Sequence, residues 1–305
     1  MGVTFNVAQT GFKIRAATAE DFKACRMLLP PIGEARQLVV AIDAAQNLII
    51  GAAAATRARR EKSPVGPGMA LHVIPPCRQV GVGRALLVEL VRGARDAGDE
   101  AIYLSQRIDE AGDDFSAWRA LGFEVVETVE YHDLPVAGFA PRLAPIVEWL
   151  RRHDRIPADA CIVPLYAADR EGVLQLHLRH LGGDRDALQA RLRGSAPDAF
   201  HPRYSRVLTV GDRIAGCVLA HRTSLTVAEV DAVIVAPDLR NDWANAWLKL
   251  EACRGAEAIG ITHFHFASFD HYQDTRLFTS QLGGVTTRKQ ALMALRIEKT
   301  DATRR

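Results

Sequence analysis

Long apolar runs are what this sequence most lacks. The longest, LVVAI at 38–42 and NLIIGAAAA at 47–55, stop far short of the roughly 20 residues a membrane-spanning helix needs, so no membrane association is expected. The opening MGVTFNVAQTGFKIRAAT has no apolar core of the kind a secretory leader carries. Cysteine is sparse as well. Cys25, Cys77, Cys161, Cys217 and Cys253 are odd in number, and no two stand at CxxC spacing. That argues against a disulfide framework or a thiolate metal ribbon, and the expectation is reduced thiols in a cytoplasmic protein. Net charge is nearly absent too. With 38 Lys and Arg against 36 Asp and Glu, the balance of +2 gives no field for nucleic acid.

What the sequence does contain is ample apolar material, 48% of 305 residues, enough for sizeable cores and too long for one average domain. Landmarks recur in the same order. An extended segment, acidic turn and helix are read in FKIRAATAEDFKACRMLL (12–29) and again in CIVPLYAADREGVLQLHL (161–178). A hairpin-like pair follows in VVAIDAAQNLIIGAAAA and in VLTVGDRIAGCVLA, with Gly51 answering to Gly216. Then HVIPPCR answers to VIVAPDLR, matching Pro75 to Pro237 and Arg78 to Arg240, and ALGFEVVE answers to QLGGVTTR. The offsets are 165, 162 and 161, which marks two copies of one α/β unit.

The expected division is a first domain at 1–133, a linker at 134–157 and a second domain at 158–305. Within the linker, PVAGFAPRLAP reads as turn-rich coil and IVEWLRRHD as a short helix. The second copy holds an insertion between its first helix and its hairpin, in which ALQARLRG reads as an extra helix ending near Gly194.

The stretch RQVGVGRALL (78–87) sits where a strand, GMALHVI, meets a helix, ALLVELVRGARDAG. Gly81 and Gly83 fall in the connecting loop and first helical turn. There, unpaired N–H groups and the positive end of the helix dipole favour an anion such as a pyrophosphate. Glycine removes the side chain that would hold the phosphate away, and Arg78 and Arg84 add charge. A strand–helix connection packed for its own sake is the other reading of a bare GxG. The third glycine of a dinucleotide fingerprint is missing, since Leu86 stands there, and no Gly-Lys-Ser/Thr follows.

VIPPCRQVGVGRALL resembles the pyrophosphate-binding motif of the GNAT superfamily of N-acetyltransferases. WRALGF (118–123) resembles that family's next helix and its Leu-Gly-Phe ending, and IRAATAEDF its first strand and turn. The resemblance implies an α/β (α+β) fold: two tandem GNAT-like domains, each a mixed, mostly antiparallel central sheet flanked by helices. It implies acetyl-CoA as co-substrate in the first copy. Val73 and Ile74 would hold the pantetheine arm through strand backbone, and Arg78, Gln79, Val80, Gly81, Val82, Gly83 and Arg84 would surround the pyrophosphate. The arm would lie between this strand and AIYLSQ (101–106). In the second copy Trp243 stands at the place of Gly81, Asn245 at that of Gly83 and Trp247 at that of Ala85, with Asp242 beside them. That copy is expected to bind no acetyl-CoA.

Catalytic roles do not carry over by match. The family's frequent acid Tyr falls on Trp118, its Asn on Ala111 and its base on Met69. Weak substitutes are His72, Tyr103 and Ser105, the last two on one face of their strand, with Asp231 and Glu229 on the second copy's corresponding strand. A packed or solvated role is the alternative for each. The basic run Thr56–Lys62 reads as a solvated hairpin, and Asp113 or Asp114 as a cap for the Trp118 helix. His263/His265 and His177/His180 lack a third ligand, so no metal is expected.

The resulting expectation is an acyltransferase moving acetyl to a primary amine of a small molecule or peptide by direct attack in a ternary complex. The runner-up is a non-catalytic acyl-CoA-binding sensor or interaction module. Either would be a monomer or homodimer.

Overall fold

The computed structural model describes residues 11–31, 34–56, 66–239, 243–269, 277 and 279–297. The chain divides into two compact units, residues 1–128 with 290–305, and residues 129–289.

Unit 1 contains strands β1 (Phe12–Ala16), β2 (Ala35–Asp43), β3 (Ile49–Thr56), β4 (Gly68–Val73), β5 (Ala101–Leu104) and β6 (Ile108–Asp109). Its helices are α1 (Phe22–Leu28), α2 (Val82–Asp96) and α3 (Asp113–Ala120). Strands β1 to β4 pair antiparallel in sequence order, and β5 joins β4 in parallel. Helix α2 forms because its apolar residues recur at helical spacing. It buries Val82, Leu86, Leu87, Leu90 and Ala94 against the β-sheet, in a core with Met69, Val73, Ile102, Leu104 and Phe123. On the other face of the sheet α1 packs Cys25 and the following Leu29 on Val40, Ala52, Ala54 and Ala70.

Unit 2 repeats the plan with β8 (Ala160–Pro164), β9 (Arg206–Val210), β10 (Arg213–Arg222), β11 (Val227–Val235) and β12 (His263–Phe269). Strands β8 to β11 pair antiparallel, and β12 joins β11 in parallel. Helix α5 (Arg170–Leu181) begins at Asp169, whose carboxylate accepts from the N–H groups of Glu171 and Gly172. The extra helix read in the insertion is α6 (Arg185–Arg193), capped at its start by Asp184 and at its end by Gly194. Helix α7 (Trp243–Glu257) is the counterpart of α2.

The last strand of each sheet comes from elsewhere in the chain. In unit 2, residues 129–135 of β7 (Glu124–Pro135) pair antiparallel with β12, from Val129 opposite Phe269 to Pro135 opposite His263. In unit 1, the end of β13 (Val285–Arg296) pairs with β5, placing Ala294 opposite Tyr103, and with β6, placing Gln290 opposite Asp109. Ala291, Met293 and Ile297 complete the core under α2. The units are therefore bounded differently from the 1–133, 134–157 and 158–305 division read from the repeat. A repeat shows which segments correspond, and says nothing of which sheet a terminal strand joins.

The segment read as turn-rich coil is corrected as well. Residues 139–152 form one helix, α4 (Phe139–Arg152), with Pro145 inside it. Phe139, Leu143 and Val147 are buried with Trp243, Trp247 and Leu248 of α7, so the apolar spacing outweighs the prolines.

Both copies place glycine where β3 or β10 passes under the helix. A Cβ on Gly51 would meet the His72 carbonyl and Leu86 Cδ1 at 3.1 Å each. A Cβ on Gly216 would meet the Ile234 carbonyl at 2.7 Å and Leu248 Cδ1 at 3.0 Å. Backbone cannot yield as a side-chain tip does. Gly216→Ala is expected to destabilise unit 2 by about 1–3 kcal/mol, and Gly51→Ala to cost less, as checked by chemical denaturation of each variant.

Candidate functional site

The expected site forms at the upper end of β4. Residues of β4 alternate. Ile74 donates its N–H to the Ile50 carbonyl at 3.1 Å, so even-numbered residues turn their main-chain groups toward β3, and Leu71 and Val73 turn theirs the other way. On that side β5 is paired only at Gly68–Tyr103 and Met69–Leu104, with bonds from Tyr103 N–H to Pro67 O at 2.9 Å and from Ser105 N–H to Met69 O at 2.7 Å. Beyond it the two strands separate. The N–H groups of Leu71 and Val73 are left without an acceptor among the described residues. Ile74, expected to serve the same edge, is turned to β3 instead. Leu71 takes its place.

After Pro75–Cys77, a single 3-10 turn, the chain reverses into α2. Gly81 is the N-cap at φ 91°, a left-handed conformation that costs glycine little, and a Cβ there would meet nothing within 4 Å. Gln79 is also left-handed, at φ 65°. None of the N–H groups from Gln79 to Arg84 has an acceptor among the described residues. A Cβ on Gly83 would touch Val73 and Leu71 at 3.7 and 3.8 Å, which places this first turn directly over the open edge of β4. Arg84 is exposed. Arg78 turns its Nε back to the Val73 carbonyl at 3.0 Å, tying the loop to the strand. The arrangement is a run of unpaired main-chain donors at a helix start, suited to an oxyanion ligand, beside an open strand edge suited to an amide-bearing chain.

His72, Tyr103 and Ser105 lie on the sheet face opposite α2. His72 shares the face of Ala70, while Ile102 and Leu104 point into the α2 core and leave Tyr103 and Ser105 on the other side. Tyr103 is half-buried with its ring against Gly66, and Ser105 is exposed. Met69 is 1% exposed, a core residue. Trp118 packs edge-on against Phe123 at 4.9 Å in the same core. Ala111 donates its N–H to Asp109, and the cap of α3 is Gly112, with Asp113 and Asp114 in the first turn rather than at the cap. The basic positions Arg57, Arg59, Arg60 and Lys62 lie outside the described residues, as do Arg240 and Asp242.

In unit 2 the strands also separate, and indoles stand at the start of α7. The β11–β12 register ends at Val230–Phe266. Trp243, in the place of Gly81, is 2% exposed, and Trp247 is 7% exposed with Arg151 stacked over its ring at 4.7 Å. Asp231 is skipped in the register of β10 with β11, a bulge that gives it no partner residue on β10. Its carboxylate accepts from His221 Nδ1 at 2.7 Å and from Arg191 at 2.8 Å. Sequence reasoning singled out neither Arg191 nor His221. Alternation along Cys217, Leu219 and His221 was the available signal. Among the described residues no group of three metal-ligating side chains converges.

A strand order of four antiparallel strands, a parallel neighbour that separates, and a helix starting at the gap defines the fold of the GCN5-related N-acetyltransferases. The chain is a tandem protein of this GNAT fold, with two copies. A glucosamine N-acetyltransferase region of a fungal multi-domain GH3 β-N-acetylglucosaminidase superposes with a TM-score of 0.58 at 13% identity, over 96% of this chain and 39% of that one. A tandem GNAT protein from the clavulanic acid biosynthesis pathway gives a TM-score of 0.50 at 14% identity, over 95% and 100%. In sequence, 76 residues are 38% identical to aminoglycoside N(6')-acetyltransferase type 1 of Stenotrophomonas maltophilia, 25% of this chain and 49% of that protein. The chain thus matches about half the length of that curated relative. No family model matches the chain.

Two histidines of unit 2, His177 and His201, are held below the usual imidazole value by burial. His201 stacks on the fully buried Tyr204 ring at 4.3 Å, and its Nδ1 accepts the Arg203 N–H at 3.3 Å. Burial, then the charges of Arg222 and Arg203, hold its pKa below the usual imidazole value. The unfolded chain therefore binds the proton first, and unit 2 loses stability as pH falls through about 6.5. Denaturation followed by fluorescence of the buried Trp243 and Trp247 should show this fall, and His201→Phe, which keeps the stack, should reduce it to the part that His177, also held down by burial, contributes.

Proposed function

We propose that the protein is an acetyl-CoA-dependent N-acetyltransferase that moves an acetyl group to a primary amine of a small molecule or peptide. The single observation that carries this reading is the unbroken row of unpaired N–H groups from Gln79 to Arg84, continuous with the open edge at Leu71 and Val73. The diphosphate of the co-substrate would accept from the N–H groups at the start of α2, where Gly81 leaves open space and the helix dipole adds positive potential. The amide-bearing arm would continue the sheet on β4 in place of β5. That course brings the thioester to the point where Met69 and Ser105 are last joined. There the amine attacks the carbonyl carbon directly, the C–N bond forming as the C–S bond breaks and the thiolate leaves. Tyr103 and Ser105 are the hydroxyl-bearing side chains on β5 and just beyond it; either can supply the thiolate with a proton and be reprotonated, directly or through solvent, by the proton that the amine nitrogen gives up.

Relatives support the chemistry at the level of class. The aminoglycoside enzyme acts on an amine, and the fungal region on glucosamine, as their names state. A second reading, an acyl-CoA-binding module without turnover, is favoured by Trp118, which occupies the family's acid position as a core residue packed on Phe123.

Calorimetry with acetyl-CoA should give one site per chain, because indoles fill the start of α7. Gly81→Trp should weaken binding by at least ~100-fold, about 2.7 kcal/mol, and a stoichiometry of two would overturn the assignment. Thiol release against a panel of amines separates the two readings: turnover supports the enzyme, and tight binding without turnover on any amine supports the module.

A further inference from the structure

Unit 2 has a cavity that the acetyl-CoA reading does not use. It lies at the β8 edge of the sheet, with β9 and β10 between it and the strands that separate. Its volume is about 340 Å³, within the range of small-ligand sites. Arg151 of α4, Trp247 and Glu251 of α7, and Ala160, Cys161 and Ile162 of β8 line it.

Three features of this lining define what fits. One is an open strand edge. β8 ends the strand order and pairs with β9 alone. Leu165 donates its N–H to the Ser205 carbonyl at 3.0 Å, so the odd-numbered residues of β8 turn their main-chain groups to β9. Ile162 turns its N–H and C=O the other way, off the sheet, and neither has a partner among the described residues. Cys161 contributes main chain, since alternation puts Ala160 and Ile162 on the α4 and α7 face and Val163 on the other.

Another is an unopposed cation. Arg151 lies over the Trp247 ring, its Cζ 4.7 Å from the ring centroid. No carboxylate or other hydrogen-bond acceptor among the described residues engages its guanidinium. The N–H fork is thus left to a ligand, and its geometry matches a carboxylate. Glu251 does not cancel that charge. Its Oε1 accepts from Arg254 Nη1 at 2.8 Å and its carbonyl from Arg206 Nε at 3.0 Å, so one carboxylate stands against three arginines. The last feature is apolar surface, where Ala160 and Ile162 pack partly buried against the core that holds Trp247.

A pairing main chain, an apolar side chain and a free carboxylate occur together at the carboxyl end of a peptide. A cationic ligand meets the field of the arginines, and an inorganic anion leaves the strand edge unused. We propose that this cavity binds the C-terminal end of an extended peptide whose last residue is apolar. Arg151 takes the terminal carboxylate, Ile162 exchanges N–H···O bonds with a peptide unit, and the apolar side chain rests beside Ile162 and Trp247. The site stands apart from the acetyltransferase reading, and binding is measured without acetyl-CoA.

The test is NMR of the full chain, following the Arg151 Nε–H and Trp247 indole N–H signals. The probes are N-acetyl-alanyl-alanyl-leucine, its C-terminal amide and isocaproate. The free acid should shift both signals saturably at millimolar concentration. The amide lacks the charge and isocaproate lacks the peptide units, so each should bind at least ~10-fold more weakly. Arg151→Met keeps a side chain over Trp247 and should weaken the free acid by the same factor. No saturable shift with the free acid, or equal affinity for the amide, for isocaproate or in Arg151→Met, overturns the proposal. Both ligand comparisons use the wild-type chain, so they decide even where the variant fails to fold.

Discussion

Everything in unit 1 is arranged around a parallel strand pair that stops too soon. β4 and β5 are joined at Gly68–Tyr103 and Met69–Leu104, and then part. Main-chain donors cannot be left in a closed interior at no cost, so the gap must stay reachable by something that can accept from them. The left-handed turn at Gln79 and Gly81 delivers a helix start to the same place, and Arg78 ties that turn to the end of β4. Two sets of unpaired N–H groups thereby meet at one opening. The β-sheet supplies one and the helix the other, and neither would amount to a site alone.

The duplicate shows how the same constraint can be met otherwise. Unit 2 retains the separating strands, but Trp243 and Trp247 occupy the helix start and α4 packs beside them, so this end of unit 2 is apolar core. On the α5 and α6 face of its sheet, Asp231 is held between His221 and Arg191.

Much of this was legible in the sequence. The glycine loop, the helical spacing of α2, the indoles of α7 and the extra helix before Gly194 are local, and local pattern is what a sequence displays. Strand alternation acts on main-chain groups as it does on side chains, and it is this that turns Leu71, rather than Ile74, to the gap. Other features were out of reach because they depend on pairing partners far away in the chain. The bulge that turns Asp231 beside His221 exists only relative to β10. The helix at Phe139–Arg152 survives Pro145 because α7 offers it an apolar surface. Trp118 reads as a lost acid in sequence and as a core wedge in the structure.

The exchanged end strand has a bearing on how the chain comes to be folded at all. A ribosome delivers unit 2 whole by residue 289, while unit 1, begun first, still lacks Ala291, Met293 and Ile297 from its core and the antiparallel neighbour of β5. The N-terminal unit is therefore the last to close. Through most of synthesis it carries an open strand edge and an incomplete apolar layer, the surfaces on which nascent chains aggregate or recruit chaperones. The usual vectorial order, first made and first folded, is reversed for these two units, and residues 290–297 act as the latch of a unit whose other strands were made before unit 2.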